Sequence, residues 1–545
     1  MEEFKSISKA IENELDNFGI SIDIDVKFSN FNENVDVQIN NLIQLKKEAI
    51  YPQIINALDK KLETLDSIEN FEILETGFIN IKLSELFLIN CLKNHNKFIN
   101  SHGLNNSGTV LLDYGGANIG KSLHVGHMRT LNIGRSLRNI YRFAGYKTIT
   151  DIHFGDWGMP IALIIAYIEK NNIDIDTISS LDLEDIYPNA SKISKEDDSF
   201  YKTALNISKE MNLNDSQRIK QWGKIYKIST ENIKSLLSSL GFEFDYYLGE
   251  SDVISLLPEF IEKLKKEELV KIDDGALISN DGQDPPALIT KSDGSYMYLT
   301  TDLGTIIYRE KNFKANKYIY IVDQRQKNHF NQLFKLIRYF KLSESEFFHV
   351  SFGTVNDKHG KPLKTRDGDN YKLEDLYKEL IEKIKITNKD PLIVKTLAKS
   401  VLTYSDLVTK RTGNYLFDID KFTNISGKSA IFIQYAQVRA SKLLNETKAK
   451  PKISKINLKE RELIMEILKF NHYFNLTINT NEPHHLAEYA YNLCHEFNKF
   501  YTNNKIFSES IDNDLKQHRL YIVEAFYITI LKVFECLGIE PVAEM

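Results

Sequence analysis

Cysteine is scarce in this sequence. Three stand in 545 residues (Cys91, Cys494 and Cys536), far apart and without a C-x-x-C pair. That excludes a disulfide framework and a cysteine-rich zinc site, and suits buried thiols in a protein of the reducing cytoplasm. No run of eighteen apolar residues occurs, so no membrane-spanning helix and no membrane partner are expected. The opening MEEFKSISKAIENELDNF is acidic and amphipathic, unlike the basic head and apolar core of a signal peptide. A basic excess is missing too: 69 Lys and Arg face 75 Asp and Glu, a formal net charge of -6. Any nucleic-acid partner would have to be held by local patches. Eleven prolines against 27 tyrosines and 31 phenylalanines describe an ordered, aromatic chain with few linkers.

The chain that remains is ordinary in its means, with 42% hydrophobic and 26% charged residues. Its length allows about three or four domains. Residues 1–105 read as an α+β module: Ile7, Ile11 and Leu15 recur at helical spacing, while SIDIDVKF (21–28) and FINIKL near residue 80 alternate with period two. SHGLNNSG (101–108) is a polar boundary. Residues 106–370 begin with VLLDY, a glycine-rich turn and a long helical stretch, then KTITDIHF and another helix. This alternation predicts a doubly wound parallel sheet. It is interrupted over about 165–290 and resumes at YIYIVDQ (318–324) and FFHVSFGTV (347–355). Residues 371–425 read as a helical linking region and 426–545 as an all-α domain. The expected fold is therefore multidomain α/β.

Two phosphate-binding signals overlap on the glycine-rich turn. Gly115 to Ser122, GGANIGKS, matches the P-loop pattern G-x-x-x-x-G-K-[ST] between a strand and a helix, with Asp323 placed as an acidic strand end. Backbone amides would cradle phosphates, Lys121 would reach the terminal ones, and Ser122 would sit on Mg²⁺. The second signal is His124-Val125-Gly126-His127 at the start of the same helix. Its histidines share one helical face at the positive end of the macrodipole, and Gly126 leaves room for a ligand between them. That arrangement suits fixed donors aimed at a reacting phosphate. A P-loop does not account for the histidines.

The stretch from Asp113 to Arg129, DYGGANIGKSLHVGHMR, closely resembles the ATP-binding segment of the arginyl-tRNA synthetases, which are class I aminoacyl-tRNA synthetases. The likeness runs on in order through HFGDWG (153–158), YPNASKISKED (187–197), YLGESD (247–252) and ITKSDGSYMYLTTDLGTIIYR (289–309). It continues through YIYIVDQRQKNHFNQLF (318–334), FGTVNDKHGKPLKTRDGDNYKLEDL (352–376) and IQYAQVRASKLL (433–444). ETGFINIKLS (75–84) is similar to the close of the family's N-terminal domain. The P-loop match then reduces to Gly120 standing where the family usually has alanine.

The resemblance implies a Rossmann-like catalytic domain, an N-terminal domain that touches tRNA and a C-terminal anticodon-binding domain. It implies activation of L-arginine with ATP and Mg²⁺, then transfer to the 2′-OH of the terminal adenosine of tRNA, by a cytoplasmic monomer without a structural metal. His124, His127 and Lys121 would serve the phosphates, with Lys361 and Lys364 of GKPLKTR replacing the K-M-S-K-S loop of most class I enzymes. Asp113, Asn118, Tyr298, Asp302 and Gln326 match positions that hold arginine. Gly126, Gly155, Asp156 and Trp157 match the ATP site. Gln434, Tyr435 and Arg439, with Phe497 and Tyr501, would face tRNA. The chain departs from the family at Gly115, Gly116 and Ala117, where Ser-Ser-Pro is common, and at Pro160, where Gln is common. Two other readings stay in view: a P-loop NTPase (an ATPase or GTPase), and a synthetase-derived protein that binds tRNA without charging it.

Overall fold

The computed structural model describes residues 4–32, 34–100, 106–357, 359–361, 363, 371–446, 451–453, 456, 458–508 and 511–545. The chain forms two compact units, one from residues up to 103 together with those from 421 onward, the other from 104 to 420.

The first unit opens with α1 (Lys5–Asp16), whose Ile7, Ile11 and Leu15 are buried as their spacing predicts. There follow β1 (Val26–Asn32), β2 (Val35–Ile39), α2 (Tyr51–Glu63), β3 (Ile68–Ile73), β4 (Ile79–Leu83) and α3 (Glu85–Asn100). The strands make an antiparallel sheet in the order β1-β2-β4-β3. The strand expected over 21–28 begins only at Val26, the first residue paired across to Ile39. Before it, the Ile24 N–H donates to Glu12 Oε1 at 2.8 Å instead of to a ladder.

The second unit holds the parallel sheet. β5 (Thr109–Asp113), α4 (Val125–Phe143), β6 (Lys147–Asp151), α5 (Met159–Lys170), α6 (Ser180–Glu196), α7 (Asp198–Asn212) and α8 (Ser216–Ser239) lead to α9 (Leu257–Lys266). An antiparallel patch of β7 (Val270–Asp273), β8 (Ala276–Ser279) and β9 (Leu288–Thr290) follows. Then come α10 (Tyr298–Asn312), β10 (Lys317–Tyr320), α11 (Lys327–Tyr339), β11 (Glu346–His349), β12 (Val355–Asn356), α12 (Leu373–Ile384), α13 (Pro391–Leu407) and β13 (Tyr415–Leu416). The main sheet has the order β11-β10-β5-β6, all parallel. Val110, Leu111 and Leu112 are all buried because both faces of a parallel sheet are covered, so β5 reads as a continuous apolar run. Leu111 and Tyr318 share a core with Leu303, Ile306, Leu333 and Leu336 of α10 and α11.

Registers align one row across the carboxyl ends of the strands: His349, Tyr320, Asp113 and Asp151. In open α/β sheets ligands bind beyond this edge, where connections diverge to either side.

The chain then passes α14 (Ile419–Phe422) into α15 (Ala430–Asn445), α16 (Leu458–Leu468), α17 (Phe470–Thr480), α18 (His484–Asn503) and α19 (Asn513–Leu537). These helices pack with the N-terminal sheet in the first unit. Arg461 of α16 reaches buried Asp36 of β2, Nε to Oδ1 at 3.0 Å, and also donates to the Leu83 carbonyl. His95 of α3 meets Thr529 of α19 at 2.8 Å. The ends of the sequence thus build one body, although they are more than 300 residues apart, as the 434-residue separation of His95 and Thr529 illustrates.

Candidate active site

Beyond the carboxyl edge lies a cavity of about 310 Å³ whose walls include Asp113, His124, Gly126, His127, Asp323 and Gln326. The histidines are built into the start of α4. His124 is the N-cap, in extended conformation, and its Nδ1 accepts the Gly126 N–H at 3.1 Å. His127 Nδ1 in turn accepts the His124 N–H at 3.0 Å. A ring nitrogen that accepts an amide proton cannot carry one, so in each neutral ring the proton sits on Nε2. Burial lowers the pKa of His124, with Arg325 and Lys121 adding to the effect. Burial, with His124 beside it, holds His127 down at about 3. Both rings are therefore held neutral and fixed at the head of α4, and the His127 ring is further engaged by the backbone of Gly116. A Cβ at residue 126 would lie 2.8 Å from His124 Cε1, so glycine is what lets the cap ring fold back.

Distant residues hold this motif in place. Thr130 Oγ1 accepts the Gly115 N–H at 3.0 Å and donates to the Ile321 carbonyl at 2.7 Å, joining the turn after β5 to the end of β10. Arg129, fully buried, donates to Asp406 Oδ1 at 2.9 Å and to the carbonyls of Gly353 and Gly413 at 3.1 and 2.8 Å.

The P-loop reading fails on geometry. Helix α4 starts at Val125, so Gly120, Lys121 and Ser122 precede it and form no amide cradle at its N-terminus. The Gly120 N–H is spent on Ser229 Oγ at 3.0 Å, and the Ser122 hydroxyl on Glu184. Asp323 is engaged by the backbone and guanidinium of Arg325. Exposed Lys121 lies over the Tyr187 ring, 4.3 Å from its centroid.

Asp113 already holds a guanidinium. Buried Arg309 of α10 sends Nη2 to Asp113 Oδ2 and to Asp151 Oδ2, both at 2.6 Å, and Nη1 to the Tyr320 hydroxyl at 3.2 Å. One internal cation thus clasps three adjacent strand ends. Of the other residues matched to arginine, Gln326 shares the first cavity with Asp113 and the rest stand elsewhere. Asn118 pairs by a backbone bridge with Gly155, where a Cβ would lie 2.2 Å from Asn118 Oδ1. Asp302 Oδ2 bonds His329 Nε2 at 2.5 Å. Tyr298 lines a second cavity, of about 280 Å³, with Trp157, Lys209, Glu250 and Lys291.

Glu250, inside YLGESD, is the residue that the sequence reading passed over. Burial pushes its carboxyl up to about 7; His153 opposes the shift, and Asp156 and Asp302 add to it. No lysine or arginine pairs with it among the described residues. The half-buried carboxyl lies in the wall of the second cavity beside exposed Tyr298, in the field of other carboxylates, a setting that a cationic ligand would suit.

Several positions fall outside the cavities. Asp156 is fully buried and accepts both the Ser251 N–H (3.0 Å) and its hydroxyl (2.6 Å), so it braces the YLGESD segment and is closed to ATP. Trp157 donates to Asn212 Oδ1 at 2.8 Å and faces the second cavity rather than the histidines. Lys361 closes a hairpin with Asp357 at the rim of the first cavity, where Leu363 is part of the wall. Lys364 lies outside the described residues.

In the first unit, Gln434 is buried and clamps the C-terminal segment, donating to the Glu540 carbonyl at 2.7 Å and accepting the Val542 N–H at 3.2 Å. Phe497 is buried and stacked on Phe526, 4.0 Å between centroids. Neither presents a surface to RNA. Tyr435, Arg439 and Tyr501 do cluster: the guanidinium lies 4.2 Å from one ring centroid and 4.9 Å from the other, and donates to Asn498 Oδ1 at 2.9 Å.

Known proteins agree with this reading at two levels. Residues 88–419 match the family described as tRNA synthetases class I (R), catalytic domain, which sets the class of the molecule. Residues 433–545 match the DALR anticodon binding domain and residues 5–83 the arginyl tRNA synthetase N terminal domain. The chain is 33% identical to the arginine–tRNA ligase of Agathobacter rectalis, over 90% of this chain and 91% of that protein. It is 32% identical to that of Francisella tularensis subsp. holarctica, over 92% of each. In fold it is similar to the arginyl-tRNA synthetase of Plasmodium falciparum (TM-score 0.81, 24% identity, 99% of both chains). It is equally similar to the Thermus thermophilus enzyme (TM-score 0.81, 19% identity, 99% of this chain and 100% of that one). The chain belongs to the arginyl-tRNA synthetase family.

Proposed function

We infer that this chain is an arginine–tRNA ligase: it joins L-arginine to ATP as an adenylate, releasing pyrophosphate, and passes the arginyl group to the terminal adenosine of its tRNA. The observation that carries the chemistry is the pair of neutral, backbone-fixed imidazoles of His124 and His127 in the wall of the cavity beyond the strand ends. Attack of the arginine carboxylate on the α-phosphate builds negative charge on phosphate oxygens as the pyrophosphate bond breaks. Neutral imidazoles already fixed beside that charge need no reorganisation, which is the main means available to phosphoryl-transfer enzymes. Lys121, Lys361 and Lys364 would neutralise the outgoing phosphates. Mg²⁺ arrives on the phosphates of ATP, as this hard ion usually does, rather than in a protein cage. Gly126 and Gly155 serve the site indirectly, by making room for the His124 ring and the Asn118 side chain, and Asn118 and Gln326 offer amides to the amino-acid end.

For the guanidinium of arginine we assign Glu250, Asp302 and Tyr298. Asp113 is occupied by Arg309, so its part is to anchor the strand ends. A planar guanidinium offers five donors and pairs with two carboxylates at once; the single ammonium of lysine leaves one acceptor unmet, and that selects against it. Trp157, Tyr298 and the lysines of the second cavity suit the stacked, charged end of an RNA strand. Tyr435, Arg439 and Tyr501 form a second stacking platform of the kind that holds splayed bases, and anticodon nucleotides are the proposed occupants. Among the described residues no helix is long and apolar enough to cross a membrane; a cytoplasmic monomer is part of the proposed reading. Charging of a mixed tRNA preparation with labelled arginine or lysine tests the reading: arginine is incorporated and lysine is not. Equal incorporation of both would remove the assigned pocket.

A further inference from the structure

Away from the catalytic unit, the turn from α17 into α18 gathers one carboxylate and two imidazoles within four residues. Asn481 adopts the left-handed conformation (φ 52°, ψ 41°) and reverses the chain, and Pro483 caps α18. The Glu482 N–H donates to the Thr477 carbonyl at 3.2 Å, and the His485 N–H to the Glu482 carbonyl at 3.3 Å. This tight turn folds the Glu482 carboxylate back onto the first turn of the helix. Its Oε2 lies 3.3 Å from His484 Nδ1 and 3.8 Å from His485 Nε2. The two rings are 3.9 Å apart between centroids, inclined by 36°. Among the described residues, no other group of three His, Cys, Asp or Glu side chains brings its ligand atoms within 4.8 Å of one another.

We propose that Glu482, His484 and His485 form a binding site for a divalent cation of the zinc class. Ligand atoms around a tetrahedral ion with bonds of about 2.0–2.1 Å stand about 3.3 Å apart, so the observed spacing needs only small side-chain shifts. Two imidazoles and one carboxylate suit Zn²⁺; Mg²⁺ and Ca²⁺ prefer oxygen alone. The side chains are 13%, 12% and 21% exposed in that order, which leaves an edge open to water as the fourth ligand. The positive end of α18 opposes a cation here, and the carboxylate is what offsets it. A bound ion would staple the entry of α18, the helix that carries Asn498 and Tyr501 against Arg439 at its other end.

The full-length protein, stripped with a chelator and dialysed, is titrated with ZnCl₂ by calorimetry and with Co²⁺ by visible absorption. One saturable Zn²⁺ site per chain, a rise in melting temperature with Zn²⁺ and tetrahedral Co²⁺ bands are expected. His484→Ala and the near-isosteric Glu482→Gln should each weaken binding by roughly tenfold or more, since disturbing even outer partners of a metal site costs that much. Saturable binding that is absent, or that persists unchanged in both variants, would overturn the site. Neither readout depends on aminoacylation, so the result is independent of the function assigned above.

Discussion

In the arginine pocket proposed above, Glu250 is the residue whose protonation would give the pocket a pH dependence. Its carboxyl titrates at about 7, so the charged form that a guanidinium needs becomes dominant as pH rises through neutrality. Arginine should bind more tightly at pH 8 than at pH 6, with proton release on binding in between. Glu250→Gln removes one charge-assisted hydrogen-bond acceptor, of about 1.5–3 kcal/mol, and should raise the KM for arginine roughly ten- to hundredfold while flattening its pH profile. An unchanged profile in the variant would take Glu250 out of the pocket. The histidines behave differently. His127 titrates at about 3, so kcat should show no His127 ionisation between pH 6 and 8. On the proposed mechanism His127→Ala removes an imidazole that faces the reacting phosphate and should lower kcat by about 10²–10³ with little change in the KM for arginine. A drop confined to KM would place His127 outside the chemical step.

At the scale of elements, the clasp by Arg309 ties α10 to β5, β6 and β10 at the edge where the ligands meet. Arg309→Met leaves Asp113 and Asp151 buried without their cation, a loss of about 3–5 kcal/mol. Urea denaturation of the variant should show that loss; an unchanged midpoint would mean that water satisfies both carboxylates. This clasp also marks where sequence reading stopped. The turn, the H-x-G-H motif and the Tyr298–Asp302 pair lie in short contiguous stretches; spacing placed the first two at a strand-to-helix junction, and the family resemblance supplied the third. Arg309 meets Asp113 across 196 residues, and nothing local in either segment announces the contact. The same limit hid the surroundings of Glu250, and misdirected Gln434 of α15 and Phe497 of α18, polar and aromatic residues of helices whose inward faces only packing defines. The overlap of P-loop and H-x-G-H patterns was resolved by where α4 begins, four residues beyond Lys121, a boundary set by the His124 cap.

The whole molecule divides its labour between a catalytic unit that carries both cavities and a second unit made from the two ends of the chain. Asp36–Arg461 and His95–Thr529 hold that second unit together across the sequence, so its N-terminal sheet and anticodon-side helices should unfold as one body. Burial holds His95 down at about 3, far below an exposed histidine near 6.5. The unfolded chain therefore takes up a proton below pH 6.5 that the folded one refuses. The sign follows: stability is level above pH 6.5 and falls by about 1.4 kcal/mol per pH unit for this residue as pH drops towards 3. Melting followed from pH 7.5 to 5 should show the decline, shallower in His95→Gln; identical slopes would assign it to other groups. The net charge of -6 gave no hint of an RNA partner, because the aromatic and basic surfaces proposed for RNA are local. The central claim is the reaction itself. Its most direct test is to follow nucleotide products with ATP, Mg²⁺, arginine and cognate tRNA: the account predicts AMP and pyrophosphate in step with arginyl-tRNA, and none without arginine. Release of ADP and phosphate, or tRNA binding with no turnover, would contradict it.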